Sequence, residues 1–273
     1  MPEVTALANS KGGIGKTTST VQLAHEKAKT GKRVLIIDLD GQKSLTKALG
    51  LEASPGETTV FACLTDPSKG LERAVKHFSG TPSYPVHYPS SGCIDVIPGA
   101  RDITKAANAF DRVRANQPVP SYELVLVYLI NTFAQQYHEV FLDMSPSTDR
   151  TTVAAFFAAH KTVAPVAAEP MAIDGVQEFL QTLTENNVAR AGFNLQGQTK
   201  LAGLLLAKVM PDQMKVVQKF QQILTQSNIP HFGETFIPYT TAGWESTGER
   251  VPIDVYQSGD AASLAYRNVA AQL

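Results

Sequence analysis

The chain contains 273 residues, of which 43% are hydrophobic and 18% are charged, as expected for a globular protein with one sizeable core. Its 24 lysine and arginine residues nearly balance 25 aspartate and glutamate residues, so the net charge of -1 excludes a global attraction to nucleic acid or anionic lipid. Any such binding must use a local patch. The two cysteines, Cys63 and Cys93, form no CxxC pair, which argues against a disulfide framework or a zinc knuckle and favours a reducing cytosol. The most apolar run, residues 124–130, is far shorter than the ~20 residues that span a bilayer.

Short apolar runs alternate with helical patterns along the chain, which predicts βαβ units and a mostly parallel sheet. The first unit comprises a strand at Val4–Ala8, a helix at Thr17–Lys29 and a strand at Arg33–Asp38. Further strands are predicted at Ile94–Ile97, Glu139–Leu142, Thr162–Val166, Ala202–Leu206 and Glu234–Ile237. The expected fold is a single α/β domain over residues 1–273, with a twisted sheet of about seven or eight strands flanked by helices on both faces. Residues 79–92, rich in Pro, Ser, Gly and Tyr, show neither periodicity and are predicted to form a surface loop.

Residues 9–18, with the sequence NSKGGIGKTT, follow an apolar strand and begin a helix, which is the context of a phosphate-binding P-loop. The glycines let backbone N–H groups turn toward phosphate oxygens, and the helix N-terminus adds a dipole that favours anions. Lys16 is expected to reach the β- and γ-phosphates of ATP, and the Thr17 hydroxyl to bind Mg²⁺. The alternative, a glycine-rich turn with incidental lysines, does not explain the strand–loop–helix context. The predicted ATP-binding residues here are Lys11, Gly12, Gly13, Ile14, Gly15, Lys16, Thr17 and Thr18.

Lys11 is not required by the ordinary P-loop motif, so its presence helps to identify the type of P-loop. With it, the loop resembles the deviant Walker A family, KGGxGKT[ST], which includes ParA, MinD and the nitrogenase iron protein. The resemblance implies that Lys11 reaches across a dimer interface to the partner's nucleotide and that a homodimer forms with ATP. A second cation of this kind would offset charge on the phosphates, so Lys11 and Lys16 are predicted to be catalytic. A solvated loop lysine is the alternative interpretation of Lys11.

An apolar strand ends in two carboxylates, Asp38 and Asp40, about one βα unit after the P-loop. The segment resembles the family's DxDPQ switch, which implies that Asp40 orients the attacking water and that Asp38 supports the metal shell. Gly41 stands where the family usually has proline. Because phosphoryl transfer depends on positioning, one carboxylate decides whether water attacks in line. Surface acids in an αβ connection are the alternative interpretation.

A second apolar strand, from Val140, ends in Asp143 and is similar to a Walker B strand followed by the family's DxPPS switch. The resemblance implies that Asp143 holds Mg²⁺ together with Thr17 and Asp38. Ser145 replaces the first of the two prolines. The motif follows the other two in the family's order.

The resemblance extends over most of the remaining chain. Residues 162–180 resemble the family's strand, PxxPE-type turn and following helix, and residues 234–256 resemble its adenine loop. It implies that Ile237 and Pro238 clamp the base and that Lys208 lies beside the adenine. An ordinary turn proline is the alternative interpretation of Pro238.

Other features indicate which branch of the family the chain resembles. It lacks the CxxC pair of the cluster-binding branches, and the helix predicted at residues 261–273 has Arg267 as its only basic residue, so no stable membrane anchor is expected. The chain is most similar to small ParA partition and positioning ATPases, which bind DNA nonspecifically. The candidate patch is Lys215 and Lys219, one helical turn apart, extended by Lys200, Arg250 and Arg267. A solvated helix face is the alternative.

The resemblance implies an ATPase with slow basal turnover that segregates a plasmid, chromosome region or protein cargo. A ParB-like or other adaptor would stimulate hydrolysis, and the expected location is cytoplasmic and nucleoid-associated. A MinD-like regulator that acts through membrane or protein partners without DNA is the principal alternative. A degenerate ATP-binding module that signals by dimerisation alone is a third, but intact Lys16, Asp40 and Asp143 argue against it.

Overall fold

The computed structural model describes residues 1–113, 118–169 and 172–273, which fold into alternating strands and helices. The strands are β1 (Glu3–Leu7), β2 (Arg33–Leu39), β3 (Lys76–Phe78), β4 (Cys93–Ile97), β5 (Glu139–Met144), β6 (Lys161–Ala167) and β7 (Lys200–Ala207). The helices are α1 (Lys16–Lys29), α2 (Ser44–Ala48), α3 (Val60–Thr65), α4 (Ala106–Arg112), α5 (Val125–Phe133), α6 (Arg150–Ala158), α7 (Ala172–Gly192), α8 (Met214–Gln226), α9 (Thr241–Gly248), α10 (Ile253–Tyr256) and α11 (Ala261–Ala270). Pro170 and Met171, which belong to the stretch likened to the PxxPE-type turn, lie outside the described residues.

Within these ranges the strands form one seven-stranded sheet in the order β3-β4-β2-β5-β1-β6-β7. Every neighbouring pair is parallel except β3 and β4, which are antiparallel. The predicted α/β fold with a mostly parallel sheet is therefore confirmed. Strands β1, β5 and β2, which precede the three sequence motifs, are neighbours, so all three motifs lie at the same edge of the sheet.

Two strand predictions differ from the structure. Strand β3 was not predicted because it has only three residues, two of them polar. The predicted strand at Glu234–Ile237 is wrong. That segment follows a turn at Gly233, where φ is 59°, and only isolated bridges at the flanking His231 and Pro238, with hydrogen bonds at Ile237, connect this stretch to β7 and Val209. An extended segment without a continuous ladder does not form a strand.

The sheet separates two apolar cores because successive side chains of a strand point to opposite faces. In β5, Val140 and Leu142 pack in the core beneath α3 to α8. Phe141 points the other way, into the core beneath α1, α2 and α9 to α11. Helices therefore cover both faces, as predicted.

Residues 79–92 contain no helix or strand and have one isolated bridge, between Gly80 and Pro85. The segment is anchored at two points. Val86 is 7% exposed, and the Tyr88 hydroxyl lies 3.0 Å from His25 Nδ1 on α1. The segment thus covers part of the helix that follows the P-loop.

The last helix, α11, packs against α1 with Tyr266 and Val269 buried. Its basic residue, Arg267, contacts Glu26 and Asp254 at 3.3 and 3.6 Å. No helix in the described ranges is long and apolar enough to cross a membrane.

We expect Phe141→Ala to lower the free energy of unfolding by about 3 to 5 kcal/mol, because it leaves a cavity in the central strand of the sheet. Val188→Ala is the control, since Val188 is 71% exposed on α7 and its truncation should change stability by less than about 0.5 kcal/mol. Urea denaturation monitored by circular dichroism measures both. Equal midpoints for the two variants would contradict the core assignment.

Candidate nucleotide-binding site

The loop between β1 and α1 is shaped by glycines and by an asparagine. Gly13 and Gly15 have φ of 74° and 91°, a region that residues with a side chain rarely adopt. The Asn9 side chain donates to the carbonyl of Pro165 at 2.8 Å and accepts from the Lys11 N–H at 3.0 Å. The first bond ties the loop to β6, and the second fixes the turn from Asn9 to Lys11 within the loop itself.

The other predicted loop residues lie in the same turn. Gly12 is exposed, and a Cβ added there would meet no atom within 4 Å, so its backbone is open to a ligand. Ile14 is 5% exposed and anchors the loop to the protein. Thr18, in the first turn of α1, lines the cleft described below.

Lys16 is 7% exposed, and its ammonium is held inside the loop. It donates to the carbonyls of Asn9 at 3.0 Å and Lys11 at 2.8 Å. Burial lowers the pKa of Lys16, whereas the charges of Asp143 and Asp40 raise it. The ammonium therefore lies where phosphate oxygens would replace carbonyl oxygens as its partners.

Asp143 at the end of β5 is fully buried and is held by two hydroxyls of α1. Thr17 donates to Oδ2 at 2.9 Å, and Thr20 donates to Oδ1 at 3.1 Å. Burial is the main cause that raises the pKa of this carboxyl, and the charge of Asp38 raises it further. The structure thus brings Thr17 and Asp143 together, as the predicted metal site requires.

Asp38 is opposite Asp143 in the β2–β5 register and is also fully buried. Its Oδ2 accepts from the Thr46 N–H at 3.0 Å and from the Thr46 hydroxyl at 2.6 Å. The same hydroxyl accepts from the N–H of Gly99 at 2.8 Å. A Cβ added to Gly99 would lie 2.8 Å from the Asp38 carboxyl carbon, so only glycine fits there. Burial raises the pKa of Asp38, and the bonds from Thr46 lower it.

Asp40 continues from β2 into a partly exposed turn. Its N–H donates to Asp38 Oδ1 at 3.1 Å, and its own Oδ1 accepts from the Gln42 N–H at 2.8 Å. A Cβ added to Gly41 would lie 3.4 Å from the Arg101 carbonyl, an ordinary van der Waals contact with the neighbouring loop. The Asp40 carboxylate is oriented by this turn, and its charge raises the pKa of Lys16 in the P-loop.

Lys11 extends away from the buried lysine, toward solvent. Its ammonium contacts Glu169 Oε2 at 2.5 Å, and the two side chains are 58% and 50% exposed. An ion pair this exposed contributes little to stability. Lys11 is therefore available to a partner outside the subunit.

A cleft of about 690 Å³ begins at the P-loop and extends over the core beneath α9 to α11. Gly15 and Thr18 form the end next to the P-loop, and Ile237 and Pro238 form one wall. Its volume lies within the ~300–1,000 Å³ typical of small-molecule sites. The predicted base clamp is thus next to the predicted phosphate loop.

Lys208 also lines this cleft, after the end of β7. It has φ of 58°, and its ammonium donates to the Gly13 carbonyl at 2.8 Å. The residue predicted to lie beside the base is therefore bonded to the phosphate loop in this structure.

The five basic residues predicted to bind DNA do not form one surface. Lys215 and Lys219 are exposed on α8, which packs on one face of the sheet. Lys200 begins β7, about 23 Å along the strand from the end that leads toward α8.

The two arginines are also separate from α8. Arg267 belongs to α11, which covers the opposite face of the sheet, and it is engaged by Glu26 and Asp254. The Arg250 side chain lies against Gly50. The structure therefore does not bring Lys200, Arg250 and Arg267 together with Lys215 and Lys219 on α8, because charge in a sequence does not specify which face a residue occupies.

Sequence reasoning missed several residues of the site. Thr20 lies one helical turn after Lys16, so helix periodicity would have placed it on the same face. Tyr266, whose hydroxyl is 3.0 Å from Ser19 Oγ, and Trp244 line the cleft. They and Thr46 belong to no motif that the sequence displays.

Comparison with known proteins agrees with this geometry. The AAA domain model AAA_31 matches residues 2–194. The chain is 33% identical to the chromosome-partitioning ATPase Soj of Thermus thermophilus, over 98% of this chain and 94% of the relative. It is 27% identical to the chromosome partitioning protein ParA of Caulobacter vibrioides, over 99% and 93%. Among solved structures, an ATP complex of McdA from Cyanothece superposes with a TM-score of 0.76 at 16% identity, over 99% and 96% of the two chains. The fold, the loop and the relatives together show that the chain belongs to the ParA/MinD family of P-loop ATPases.

Proposed function

We propose that the chain is an ATP-dependent dimeric switch that segregates or positions a plasmid, a chromosome region or a protein cargo. One observation carries this proposal. Lys16 is buried within the P-loop, whereas the Lys11 side chain of the same loop is 58% exposed and, among the described residues, its ammonium contacts the exposed Glu169 alone. A lysine so placed serves its own subunit's phosphates poorly and can reach those of a second copy. Two copies would then enclose the nucleotides between them.

The residues at the carboxyl edge of the sheet fit ATP with Mg²⁺. The Thr17 hydroxyl and the Asp143 carboxylate are oxygen donors 2.9 Å apart, and Mg²⁺ prefers oxygen ligands. No lysine or arginine of the described ranges forms a salt bridge with the buried Asp143, so its charge lacks a direct counterion. Thr17 and Asp143 would hold the metal, with Asp38 behind them. When bound, Mg²⁺ would supply positive charge to the β- and γ-phosphate oxygens.

The chain's own residues would bind the phosphates, orient the attacking water and hold the base. The backbone of the loop and Lys16 would bind the phosphates, and the partner subunit's loop lysine would add a second cation as charge develops. Asp40 would orient the attacking water, since its carboxylate is partly exposed and is aimed by its own turn. Ile237 and Pro238 would hold the base. Slow basal turnover follows if the switch waits for an adaptor, ParB-like or other, to complete this arrangement.

The dimer would act on nonspecific DNA in the cytoplasm, on the nucleoid. Lys215 and Lys219 remain the candidate contacts because both are exposed on α8, whose sequence contains no acidic residue. The MinD-like alternative, which needs a membrane or protein scaffold, has less support. Arg267, the basic residue of α11, is already paired with two carboxylates.

Lys16→Ala should weaken ATP binding by about 10- to 100-fold, since it removes a charge-assisted hydrogen bond to the phosphates. Asp40→Ala should instead keep ATP binding and slow hydrolysis by about 100-fold or more. Sedimentation with Mg²⁺ and either ATP or ADP should therefore show a persistent ATP dimer for the Asp40 variant and none for the Lys16 variant.

Lys47→Ala is the matched control, because Lys47 is exposed on α2 outside the site. A wild-type chain that binds ATP yet remains monomeric would contradict the switch. Equal loss of ATP binding in the two site variants would contradict the role given to Asp40.

Thr46→Val should slow hydrolysis by about tenfold while ATP binding changes little, because the hydroxyl's bonds to Asp38 and from the Gly99 N–H are lost while the side chain keeps its shape. Thr46→Ser retains the hydroxyl and should behave as wild type. Steady-state ATPase assays and calorimetric titration measure the two quantities. Unchanged turnover in Thr46→Val would show that this hydroxyl does not position the switch.

Replacing Lys215 and Lys219 by Glu should abolish ATP-dependent binding to duplex DNA and leave hydrolysis unchanged. In the wild type, each lysine that contacts a phosphate should contribute about one unit to the slope of log affinity against log salt. Fluorescence anisotropy at low and moderate salt measures both effects.

The matched control is the double variant Lys32→Glu with Lys200→Glu, which makes the same charge change at exposed lysines of the opposite edge of the sheet. If the wild type binds no DNA with ATP even at low salt, the nucleoid proposal is wrong. The membrane or protein-scaffold alternative would then replace it.

A further inference from the structure

The chain's only tryptophan lies on the rim of the nucleotide cleft. Trp244 is 72% exposed, and among the described residues its side chain forms no hydrogen bond, ring contact or ion pair. Tyr239, on the same rim, is 47% exposed. An exposed indole leaves a large apolar surface in water, and aromatic rings beside an apolar cleft usually mark a ligand contact.

The helix that carries Trp244 is firmly positioned. The Thr240 hydroxyl caps α9 by accepting from the Gly243 N–H at 3.1 Å, and it donates to Asp260 Oδ1 at 3.1 Å. On the opposite side of α9, Ala242 and Ser246 are 1% and 2% exposed. The indole therefore projects from a fixed support, which reduces the entropy lost when a ligand binds.

The neighbouring residue is also restrained. Glu245 accepts from the Tyr256 hydroxyl at 3.0 Å, which ties α9 to α10 across the end of the cleft. Both residues line the cleft with Trp244. The rim is thus held by contacts that do not involve the indole.

The cleft runs from the P-loop to α9, so a ligand whose phosphates lie at Gly15 extends its other end toward Trp244. Ile237 and Pro238 supply an apolar wall for the same ligand. We propose that Trp244 stacks on the purine base of the bound nucleotide and sets the preference for purines over pyrimidines. This inference rests on nucleotide binding at the P-loop, as proposed above.

Stacking predicts a definite pattern of selectivity. An indole face attracts any flat ring and gains more from the larger purine surface, so ATP and GTP should benefit alike and CTP less. Ligands without a base should gain nothing. Trp244 is a specificity residue in this scheme, and it takes no part in hydrolysis.

The experiment uses Mg²⁺-ADP, because ADP is not expected to drive dimerisation and so reports the base contact within one subunit. Calorimetry should show that Trp244→Ala weakens ADP binding by about tenfold, whereas Trp244→Phe stays within about threefold of the wild type. Pyrophosphate affinity should be the same in all three proteins. Leu264→Ala, which truncates an exposed side chain of α11 outside the cleft, is the matched control and should not change ADP binding.

Because the chain has one tryptophan, its fluorescence gives a second readout. ADP should quench the emission and pyrophosphate should not. Far-ultraviolet circular dichroism of Trp244→Ala should match the wild type, since Trp244 is 72% exposed and its truncation leaves the helix in place.

The outcomes separate this inference from the function on which it rests. If calorimetry shows that the wild type binds neither ADP nor ATP, the proposed function fails. If the wild type binds ADP but Trp244→Ala binds it equally well and emission does not change, only the stacking role is wrong. Loss of the ATP dimer with normal ADP affinity would assign Trp244 to the second copy instead. An equal loss of pyrophosphate affinity in Trp244→Ala would also overturn the inference, because it would mean that the cleft itself had changed.

Discussion

Two buried carboxylates on neighbouring strands constrain the whole site. Asp38 and Asp143 are opposite each other in the β2–β5 register, and both are fully buried. Each charge is costly away from water, so burial raises the pKa of both carboxyls, and the charge of Asp38 raises the pKa of Asp143 further. Hydroxyl and amide donors must therefore converge on this point.

The surrounding elements supply those donors from different directions. Helix α1 brings the hydroxyls of Thr17 and Thr20 to Asp143, and α2 brings Thr46 to Asp38. The positions of α1 and α2 over the strand ends follow from this requirement as much as from apolar packing. Helix α1 also begins at the P-loop, so one helix connects the phosphate loop to Asp143.

Much of the site was predictable because its motifs directly follow apolar strands. The runs before Asp38 and Asp143 identify β2 and β5, and parallel strands bring their carboxyl ends together. Residues 234–237 misled the prediction because an extended segment has the same apolar pattern whether or not its backbone pairs continuously. The role of Thr46 could not be predicted from the sequence, since its contact with Asp38 depends on the path of the turn between them.

The basic residues show a second limit of sequence-based prediction. Helix periodicity placed Lys215 and Lys219 on one exposed face, and the structure agrees. Arg267 was added on charge alone, yet it lies on the other side of the sheet and neutralises Glu26 and Asp254. Helix periodicity predicts which neighbouring residues share a face. A surface formed by residues that are distant in sequence can be identified only when the fold is known.

The segment after α8 has a consequence for self-assembly. Its backbone occupies part of the outer side of β7, where the Leu204 N–H donates to the Pro230 carbonyl at 2.9 Å and the Ile237 N–H donates to the Leu206 carbonyl at 2.8 Å. The sheet's other border is β3, only three residues long. Long unpaired borders promote open-ended polymerisation by strand addition, and among the described residues neither border offers one. The described borders of this sheet therefore give a second chain little backbone to pair with, which disfavours growth of a fibre by strand addition.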